Sequence, residues 1–316
     1  MEVRHVSLTS APARDSAAVA LGFFDGVHTA HLALLRETVA VARKIGVRSA
    51  AFTFAEISTD AKNKAHLTTA EEREKRIADA GIDMLYVASF AELRDLAPAD
   101  FVGFLRRVCG AAFAVCGFNF RFGKDAAGTP DDLVRLFDGH AAVLPPLLAA
   151  GEPISTTRIR DLLENGEPEA AEILLGRAFS LTAPVVRGKG FGHVLGFPTG
   201  NQRFPEALVI PRRGVYRTRC TVDGTAYPAV TNVGVCPTVG GDGVTAESYL
   251  IGFSGDLYGK TVTTEFLSFL RPERKFPDEA SLAAQIRADV ALASSTNVKN
   301  AHCPGDCSAN AEKEAE

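Results

Sequence analysis

The chain lacks two features that would mark a membrane protein or a general nucleic-acid binder. No stretch of the 316-residue chain approaches the roughly 18 uninterrupted apolar residues that a membrane-spanning helix needs. Residues 1–16 also lack the apolar core of a secretion signal. The net charge of −4 argues against nucleic acid, which binds to basic faces. We therefore expect a cytoplasmic protein without membrane or nucleic-acid partners. Small nucleotides remain possible ligands, and the oligomeric state is left open.

Cysteine is sparse and scattered along the chain, with no spacing typical of a disulfide framework. A chain of this length does not need disulfides to fold, so we expect reduced thiols. Cys303 and Cys307 are spaced like half of a zinc site, but no second pair matches them, and we expect no metal there. The six cysteines are scattered: Cys109, Cys116, Cys220, Cys236, Cys303 and Cys307.

Neither common phosphate-binding motif is present. The chain has no G-x-x-x-x-G-K-[ST] sequence, and its glycine cluster is not followed by the helix of a dinucleotide fingerprint. The alternate glycines Gly188, Gly190 and Gly192 would still let the backbone approach a polyanion, although such a cluster alone is more often a hairpin loop. Thr199 and Asn201 follow as hard oxygen ligands on one face of an extended segment. Together they predict a site for Mg²⁺ and ATP phosphates.

Length and pattern predict two domains. In the first half, strand-like residues 18–24 and 49–54 alternate with helix-like residues 31–44 and 99–107. Thr69 and Glu72 have the spacing of a capping box at the start of another helix. This alternation predicts an α/β domain with a parallel sheet, covered by helices on both faces.

The pattern changes near residue 176. Short β-rich runs broken by Gly, Pro or Asp follow, with a hairpin signal at Asp223-Gly224, and they predict an antiparallel barrel. A terminal helix is expected from about residue 278 to 293, with an apolar stripe of Leu282, Ile286 and Val290. We expect domains at residues 1–175 and 176–295, and a disordered tail at 296–316 because it has almost no large apolar residues.

The first domain carries a chemical signature after its first predicted buried strand, GFFDGVHTAH at residues 22–31. In an open α/β sheet, ligands bind beyond the carboxyl ends of the strands, where a helix N-terminus favours anions. His28 and His31 stand three apart, so both imidazoles would lie on one helix face and could donate hydrogen bonds to phosphate oxygens. A bare H-x-x-H is more often incidental, and a zinc site would need further ligands.

The second half resembles the riboflavin kinase domain. Six ordered motifs carry the resemblance: GKGFGHVLGFPTGN at 188–201, GVY at 214–216, NVGVCPT at 232–238, AES at 246–248, DLYGK at 256–260 and FLRPERKF at 269–276. In that family the glutamate matching Glu247 is the general base that acts on the ribityl hydroxyl of riboflavin. Alternation along the strand would otherwise predict a surface carboxylate at this position.

The first half resembles the H-x-G-H nucleotidyltransferases, in the form found in prokaryotic FMN adenylyltransferases. The resemblance continues through LTTAEE at 67–72, GFNFRFG at 117–123 and ISTTRIR at 154–160. It implies a Rossmann-like nucleotidyltransferase domain followed by a riboflavin kinase barrel. The whole chain therefore resembles the bifunctional riboflavin kinase/FMN adenylyltransferases, which use ATP and Mg²⁺ to convert riboflavin to FMN and FMN to FAD.

The resemblance implies roles for individual residues. His28, His31 and Glu247 are expected to be catalytic, and Thr199 and Asn201 to hold the metal. In that family the ISTTRIR-like motif supplies hydroxyls and a guanidinium to the ATP phosphates, whereas Arg158 and Arg160 alone would suggest a solvated helix face. The full set expected to bind nucleotide or flavin is Gly22, Phe24, Asp25, Asn119, Ser155, Thr156, Arg160, Gly188, Gly190, Gly192, Asn232 and Arg271.

Two departures from the family pattern concern the first activity. Ala30 replaces the glycine between the paired histidines, and its Cβ is expected to project near the phosphates. The segment at residues 52–58 lacks the prolines of a loop that lines the flavin site in the family. Three readings follow: a bifunctional enzyme, which we favour; a riboflavin kinase with a slow or silent adenylyltransferase half; or a first domain that binds flavin nucleotides for regulation.

Overall fold

The structure is a computed structural model that describes residues 1–55, 65–187, 196–235 and 243–295. Its first part is a parallel six-stranded sheet in the order β1-β4-β3-β2-β5-β6. Two of its central strands, β2 and β4, are short and fully buried, which explains their apolar composition. The strands are β1 (Glu2–Val6), β2 (Ala17–Leu21), β3 (Arg48–Phe54), β4 (Met84–Ala88), β5 (Ala111–Gly117) and β6 (Ala141–Leu144).

Helices cover both faces of this sheet. Because side chains alternate along a strand, Val19 and Leu21 of β2 join one core cluster, whereas Ala20 joins the cluster on the opposite face. Phe101 packs into the first cluster and Leu35 into the second. The helices of this part are α1 (Thr29–Ile45), α2 (Ala70–Asp79), α3 (Phe90–Leu93), α4 (Pro98–Cys109) and α5 (Pro130–Leu136).

A small hairpin and two helices lead from the sheet to the second part. They are β7 (Leu148–Ala149), β8 (Glu152–Pro153), α6 (Thr156–Asn165) and α7 (Pro168–Leu175). Leu163 and Leu174 of these helices share one buried cluster with Phe179 and Phe266 of the following strands. Leu67, from the first part, belongs to the same cluster. The two parts therefore share one apolar cluster, and we call the contact between them at this cluster the seam.

The second part is a closed antiparallel barrel in the order β10-β13-β12-β11-β14-β9. The hairpin between β11 and β12 turns at Asp223 and Gly224, whose φ angles of 50° and 79° suit the expected tight turn. Its strands are β9 (Phe179–Val186), β10 (Gly200–Arg203), β11 (Gly214–Val222), β12 (Thr225–Val235), β13 (Val244–Leu250) and β14 (Thr261–Arg271).

The terminal helix α8 (Glu279–Ser295) lies against the outside of the barrel. The Asp278 carboxylate accepts a hydrogen bond from the Ser281 backbone N–H at 2.7 Å, which caps the helix start. Near its end, Val290 and Ala293 pack with Val215 and Val230 of the barrel. The first half of α8 forms one wall of a pocket that is described below.

The predicted fold class is confirmed, with local corrections. The strand expected at residues 18–24 ends at Leu21, because Phe24 takes a left-handed backbone conformation with φ 53°. Strand β1 was not expected. Four of its five residues are exposed, so its sequence lacks the alternation of apolar and polar residues that indicates a half-buried strand. Thr69 caps α2 as expected, accepting the Glu72 N–H at 3.2 Å, whereas the Glu72 carboxylate pairs with Arg76 instead of completing a capping box.

The domain limits drawn from the sequence remain predictions, and the tail at residues 296–316 lies outside the described residues. Among the helices of the described ranges, none combines the length and apolar character needed to cross a membrane.

Candidate active sites

A pocket of about 310 Å³ lies beyond the carboxyl ends of β2 and β5. Its walls come from the start of α1, the turn after β5, the segment after β6 and the start of α6. We call it the histidine pocket. Among its lining residues are the predicted site residues His28, His31, Asn119, Ser155 and Thr156, together with Ala30.

The two histidines form a stacked pair at the N-terminus of α1. Their ring centroids are 3.7 Å apart and the planes differ by 14°, so they share one face as expected. His28 Nδ1 accepts the His31 backbone N–H at 3.3 Å. This bond places the proton of neutral His28 on Nε2, which is left as a donor. His31 Nδ1 is buried without a hydrogen-bond partner among the described residues.

Both imidazoles are neutral near pH 7. Burial, with a smaller contribution from the nearby Arg177 charge, lowers the pKa of His28 to about 4. Burial and the neighbouring His28 hold the pKa of His31 well below its usual value. Removing two imidazoles from water disfavours their charged forms. The pair can therefore receive an anion as hydrogen-bond donors beside the N-terminus of α1, without carrying formal positive charge.

The turn that leads into this pair is strained. Phe24, Gly26 and Val27 all have positive φ angles, of 53°, 75° and 38°. Glycine adopts such angles readily, but for Phe24 and a β-branched valine they cost about 1–3 kcal/mol each. Strain of this size persists only where surrounding contacts fix the backbone.

Side chains from several elements hold the carbonyls of the strained turn. Thr53 Oγ1 donates to the Phe23 carbonyl at 3.0 Å, and Arg73 donates to the same oxygen at 3.3 Å. Arg177 donates to the Gly26 carbonyl at 2.7 Å. These contacts over-determine the backbone directly before His28.

Asp25 and Arg160 lie behind the histidine pocket rather than among its lining residues. The Asp25 carboxylate accepts the Leu67 backbone N–H at 2.9 Å and lies 3.6 Å from the Arg160 guanidinium. Arg160 Nε donates to the Ala65 carbonyl at 2.6 Å. Both side chains are buried, and burial raises the pKa of Asp25. The phosphate contact expected for Arg160 stays a prediction, and in the structure this guanidinium braces residues 65–67.

The other predicted residues of this half have distinct positions. Phe24 is fully buried, with its ring edge-on to His31 at 5.4 Å. Ser155 caps α6 by accepting the Arg158 N–H at 3.3 Å, and Thr156 Oγ1 donates to the Asp25 carbonyl at 3.4 Å. Arg158 itself binds backbone carbonyls of the β7–β8 hairpin.

A second pocket of about 400 Å³, the aromatic pocket, opens next to the strained turn. Phe54 lies 5.2 Å from the rings of both Phe23 and Phe90, and its contact with Phe90 is edge-to-face. Such walls suit a flat, conjugated ligand. Its lining residues include Gly22, Phe23, Phe52, Phe54, Phe90, Arg94, Phe101, Phe120, Arg121 and Phe122.

A third pocket of about 330 Å³, the barrel pocket, lies between the outer face of the barrel and α8. Glu247 of β13 stands directly opposite Asn201 of β10 and Asn232 of β12. Direct cross-strand partners point to the same face of a sheet, so the three side chains form one polar row. Thr199 Oγ1 donates to Glu247 Oε1 at 2.5 Å. Thr199, Asn232 and Glu247 line the pocket.

Asn201 fits the predicted role as a ligand of a hard cation. It is 6% exposed, and its Oδ1 is buried without a hydrogen-bond partner among the described residues. An unpaired buried carbonyl oxygen is costly unless something binds it. Together with the Thr199 hydroxyl, it offers the oxygen donors that Mg²⁺ prefers. No group of three or more His, Cys, Asp or Glu side chains that could hold a metal ion occurs in the described ranges.

Arg271 lines the barrel pocket but is tied to α8. Its guanidinium binds the Asp289 carboxylate, with Nη2 to Oδ2 at 2.8 Å and Nε to both oxygens. Asp289 is buried and the Arg271 side chain is partly exposed, and this charge-assisted pair anchors the helix wall. The predicted glycines Gly188, Gly190 and Gly192 lie outside the described residues.

Comparisons with known proteins match both parts of the chain. A family model described as FAD synthetase matches residues 10–158, and one described as riboflavin kinase matches residues 175–296. The bifunctional riboflavin kinase/FMN adenylyltransferase of Listeria monocytogenes is 32% identical over 280 residues, covering 86% of this chain and 89% of the relative. That of Pseudomonas fluorescens is 34% identical over 294 residues, covering 89% and 93%. The chain belongs to the family of bifunctional riboflavin kinase/FMN adenylyltransferases.

One solved structure resembles the whole arrangement. It is described as a macrolide-efflux protein from Streptococcus pneumoniae, and it matches with a TM-score of 0.85 and 28% sequence identity. The match covers 94% of this chain and 100% of that one. The likeness therefore extends over both the parallel sheet and the barrel.

Sequence reasoning missed most of the aromatic pocket and the contacts behind the histidine pair. Of the residues lining the aromatic pocket, only Gly22 was named as a site residue, although the segments at 52–58 and 117–123 had been singled out by the resemblance. The available signal was the set of phenylalanines at the ends of predicted strands, such as Phe23 and Phe54. Arg177 had no signal, because the carbonyls of the strained turn that it binds lie about 150 residues earlier in the chain.

Proposed function

We propose that this chain carries out two consecutive reactions at separate sites. Riboflavin is phosphorylated by ATP in the barrel pocket to give FMN. FMN is then adenylylated by a second ATP at the histidine and aromatic pockets, which gives FAD and pyrophosphate. The observation that carries the proposal is the polar row of the barrel pocket, where Asn201, Glu247 and Asn232 meet on three strands beside Thr199. Membership of the bifunctional family supports the second reaction.

In the kinase reaction, Glu247 is the general base. Its carboxylate takes the proton of the ribityl 5′-hydroxyl while that oxygen attacks the γ-phosphorus of ATP; the bond to ADP breaks and ADP leaves. Thr199 orients the carboxylate through its hydrogen bond. Phe197, Tyr249 and Ile286 give the pocket apolar walls that suit the flavin ring.

Thr199 and Asn201 would hold Mg²⁺ in this site. When bound, the ion would neutralise charge on the ATP phosphates. The buried, unpaired Oδ1 of Asn201 supports this assignment.

In the adenylyl transfer, a phosphate oxygen of FMN attacks the α-phosphorus of ATP, and the bond to pyrophosphate breaks. No protein nucleophile is needed. His28 donates from Nε2 to the phosphate oxygens as charge develops, and the first N–H groups of α1 add further donors. The aromatic pocket holds the flavin ring of FMN, and the nearby Arg121 is available to its phosphate. This chain lacks the prolines of the family's loop, and Phe54 supplies the wall at the end of β3.

A riboflavin kinase with a slow adenylyltransferase half is the second candidate. One observation favours it: Ala30 lines the histidine pocket, where its methyl group narrows the space for phosphates. The expected cytoplasmic location also stays a prediction, supported by buried free thiols at Cys109, Cys116 and Cys220.

A time course with purified protein separates these candidates. Riboflavin, ATP and Mg²⁺ are incubated with the full chain, and riboflavin, FMN and FAD are separated by chromatography. The proposal predicts that FMN appears first and is converted to FAD with equimolar pyrophosphate. FMN that accumulates without FAD would favour the kinase alone, and no FMN at all would refute the assignment of the barrel pocket.

A further inference from the structure

We propose that Arg177 is a positioning residue for adenylyl transfer, which it serves by fixing the strained turn before His28. This role rests on the proposed function of the histidine pocket. Arg177 lies between α7 and β9, within the segment matched by the riboflavin kinase model. The turn that it binds lies within the segment matched by the FAD synthetase model. The chain would thus complete its adenylyltransferase site with a side chain from the kinase segment.

The contacts of Arg177 are specific and sheltered. Nη2 donates to the Gly26 carbonyl at 2.7 Å, and Nη1 donates to the Val27 carbonyl at 3.4 Å. Nη1 also donates to the Leu175 carbonyl at 3.3 Å, which ties the guanidinium to the end of α7. The side chain is 19% exposed. A planar guanidinium can hold these diverging carbonyls at once, whereas a lysine ammonium acts as a point charge on a flexible stem.

The turn needs such a partner because its backbone is held away from its preferred conformation. Val27 has φ 38° and a fully buried, β-branched side chain. If its carbonyl were released, the peptide could rotate toward the ordinary region and displace His28, the next residue. Thr29 adds a second tie across the same seam, because its hydroxyl donates to the Leu174 carbonyl at 2.9 Å. The start of α1 is therefore anchored to the end of α7.

The expected effect is on the chemical step. His28 must meet charge that develops during the transfer, so a shift of the turn should lower kcat more than it raises the KM for ATP. Misplacement by about 1 Å can lower a rate by about 100-fold, so a loss of about 10- to 100-fold is expected. The barrel pocket shares none of these contacts and should keep its rate.

The test compares Arg177→Lys and Arg177→Ala with the control Arg212→Ala in the full chain. Arg212 lies on the same seam, where its side chain donates to the Asn165 carbonyl at 3.3 Å and packs on Phe269, but it does not touch the turn. FMN-to-FAD and riboflavin-to-FMN rates are measured on the same preparations, with kcat and KM for ATP separated. We expect adenylyl transfer to fall in both Arg177 variants, less in Lys than in Ala, with kinase rates within twofold of wild type.

Three results would overturn the role without refuting the proposed adenylyl transfer. One is an adenylyl transfer rate of Arg177→Lys and Arg177→Ala equal to that of wild type. Another is a parallel loss of both activities, and the third is an equal loss of adenylyl transfer in Arg212→Ala, because either would indicate a general weakening of the seam. A wild-type protein that makes no FAD from FMN would refute the proposed adenylyl transfer itself, and this role with it.

Discussion

Replacing Glu247 with glutamine isolates the basicity of one carboxylate. Glutamine has the same length, and its amide oxygen can still accept the Thr199 hydroxyl that now donates to Oε1 at 2.5 Å. The second oxygen becomes an NH₂ group, which cannot accept the ribityl proton. The hydrogen bond from Thr199 is weaker to a neutral amide oxygen than to a carboxylate, which should lower the free energy of unfolding by about 1 kcal/mol. The kinase kcat should fall by about 10²- to 10⁴-fold, the usual contribution of a positioned general base.

The assay follows riboflavin-to-FMN turnover at saturating ATP and riboflavin, and FMN-to-FAD turnover in the same preparation should not change. Glu265→Gln is the matched control: Glu265 lies on β14, where it pairs with Arg219 at 2.6 Å and does not line the barrel pocket. A kinase rate of Glu247→Gln within threefold of wild type would refute the reasoning. Glu273 would then be the next candidate for the general base, because it lines the same pocket and accepts a hydrogen bond from the Asn232 amide at 3.2 Å.

Three further predictions concern the other side chains. Asn201→Ala should raise the Mg²⁺ concentration needed for half-maximal FMN formation about tenfold or more, with FMN-to-FAD turnover unchanged; an unchanged Mg²⁺ titration would contradict the metal assignment. His28 has a pKa of about 4 in the folded chain against 6.5 unfolded, so the unfolded state binds more protons between these values and stability falls as the pH is lowered through them. Between pH 7 and pH 5, the free energy of unfolding measured with urea should fall by about 2 kcal/mol less in His28→Asn than in wild type. The same pH dependence in both proteins would contradict a neutral, buried His28. Ala30→Gly should lower the KM for ATP in FAD formation about two- to tenfold at a cost of about 1 kcal/mol in stability, and an unchanged KM would show that the methyl group is harmless.

The features that the sequence predicted well are local. His28 and His31 are three residues apart at a helix start, so their shared face follows from helix geometry alone. The turn at Asp223 and Gly224 depends on backbone preferences of those two residues. The stripe of the terminal helix likewise follows from a 3.6-residue period, and Ile286 lies in the barrel pocket as part of it.

The features that could not be predicted depend on long-range register and on backbone partners. Asn201, Asn232 and Glu247 were each expected at a site, but their meeting on one face depends on two strand pairings. A shift of one residue in either pairing would turn side chains to opposite faces. The tie from Asp289 to Arg271 depends on how α8 docks. Arg177 binds carbonyls, which are present at every residue and leave no mark in a sequence.

The origin of the two phosphorus atoms in FAD tests the central claim most directly. The full chain is given unlabelled riboflavin and Mg²⁺ with ATP that carries distinguishable labels at the α- and γ-phosphorus. If two sites act in succession, each FAD molecule contains one γ-derived phosphorus, from the barrel pocket, and one α-derived phosphorus, from the histidine pocket. A flavin product that carries only the γ-label would contradict the account, because it would show that phosphorylation is the only reaction this chain performs.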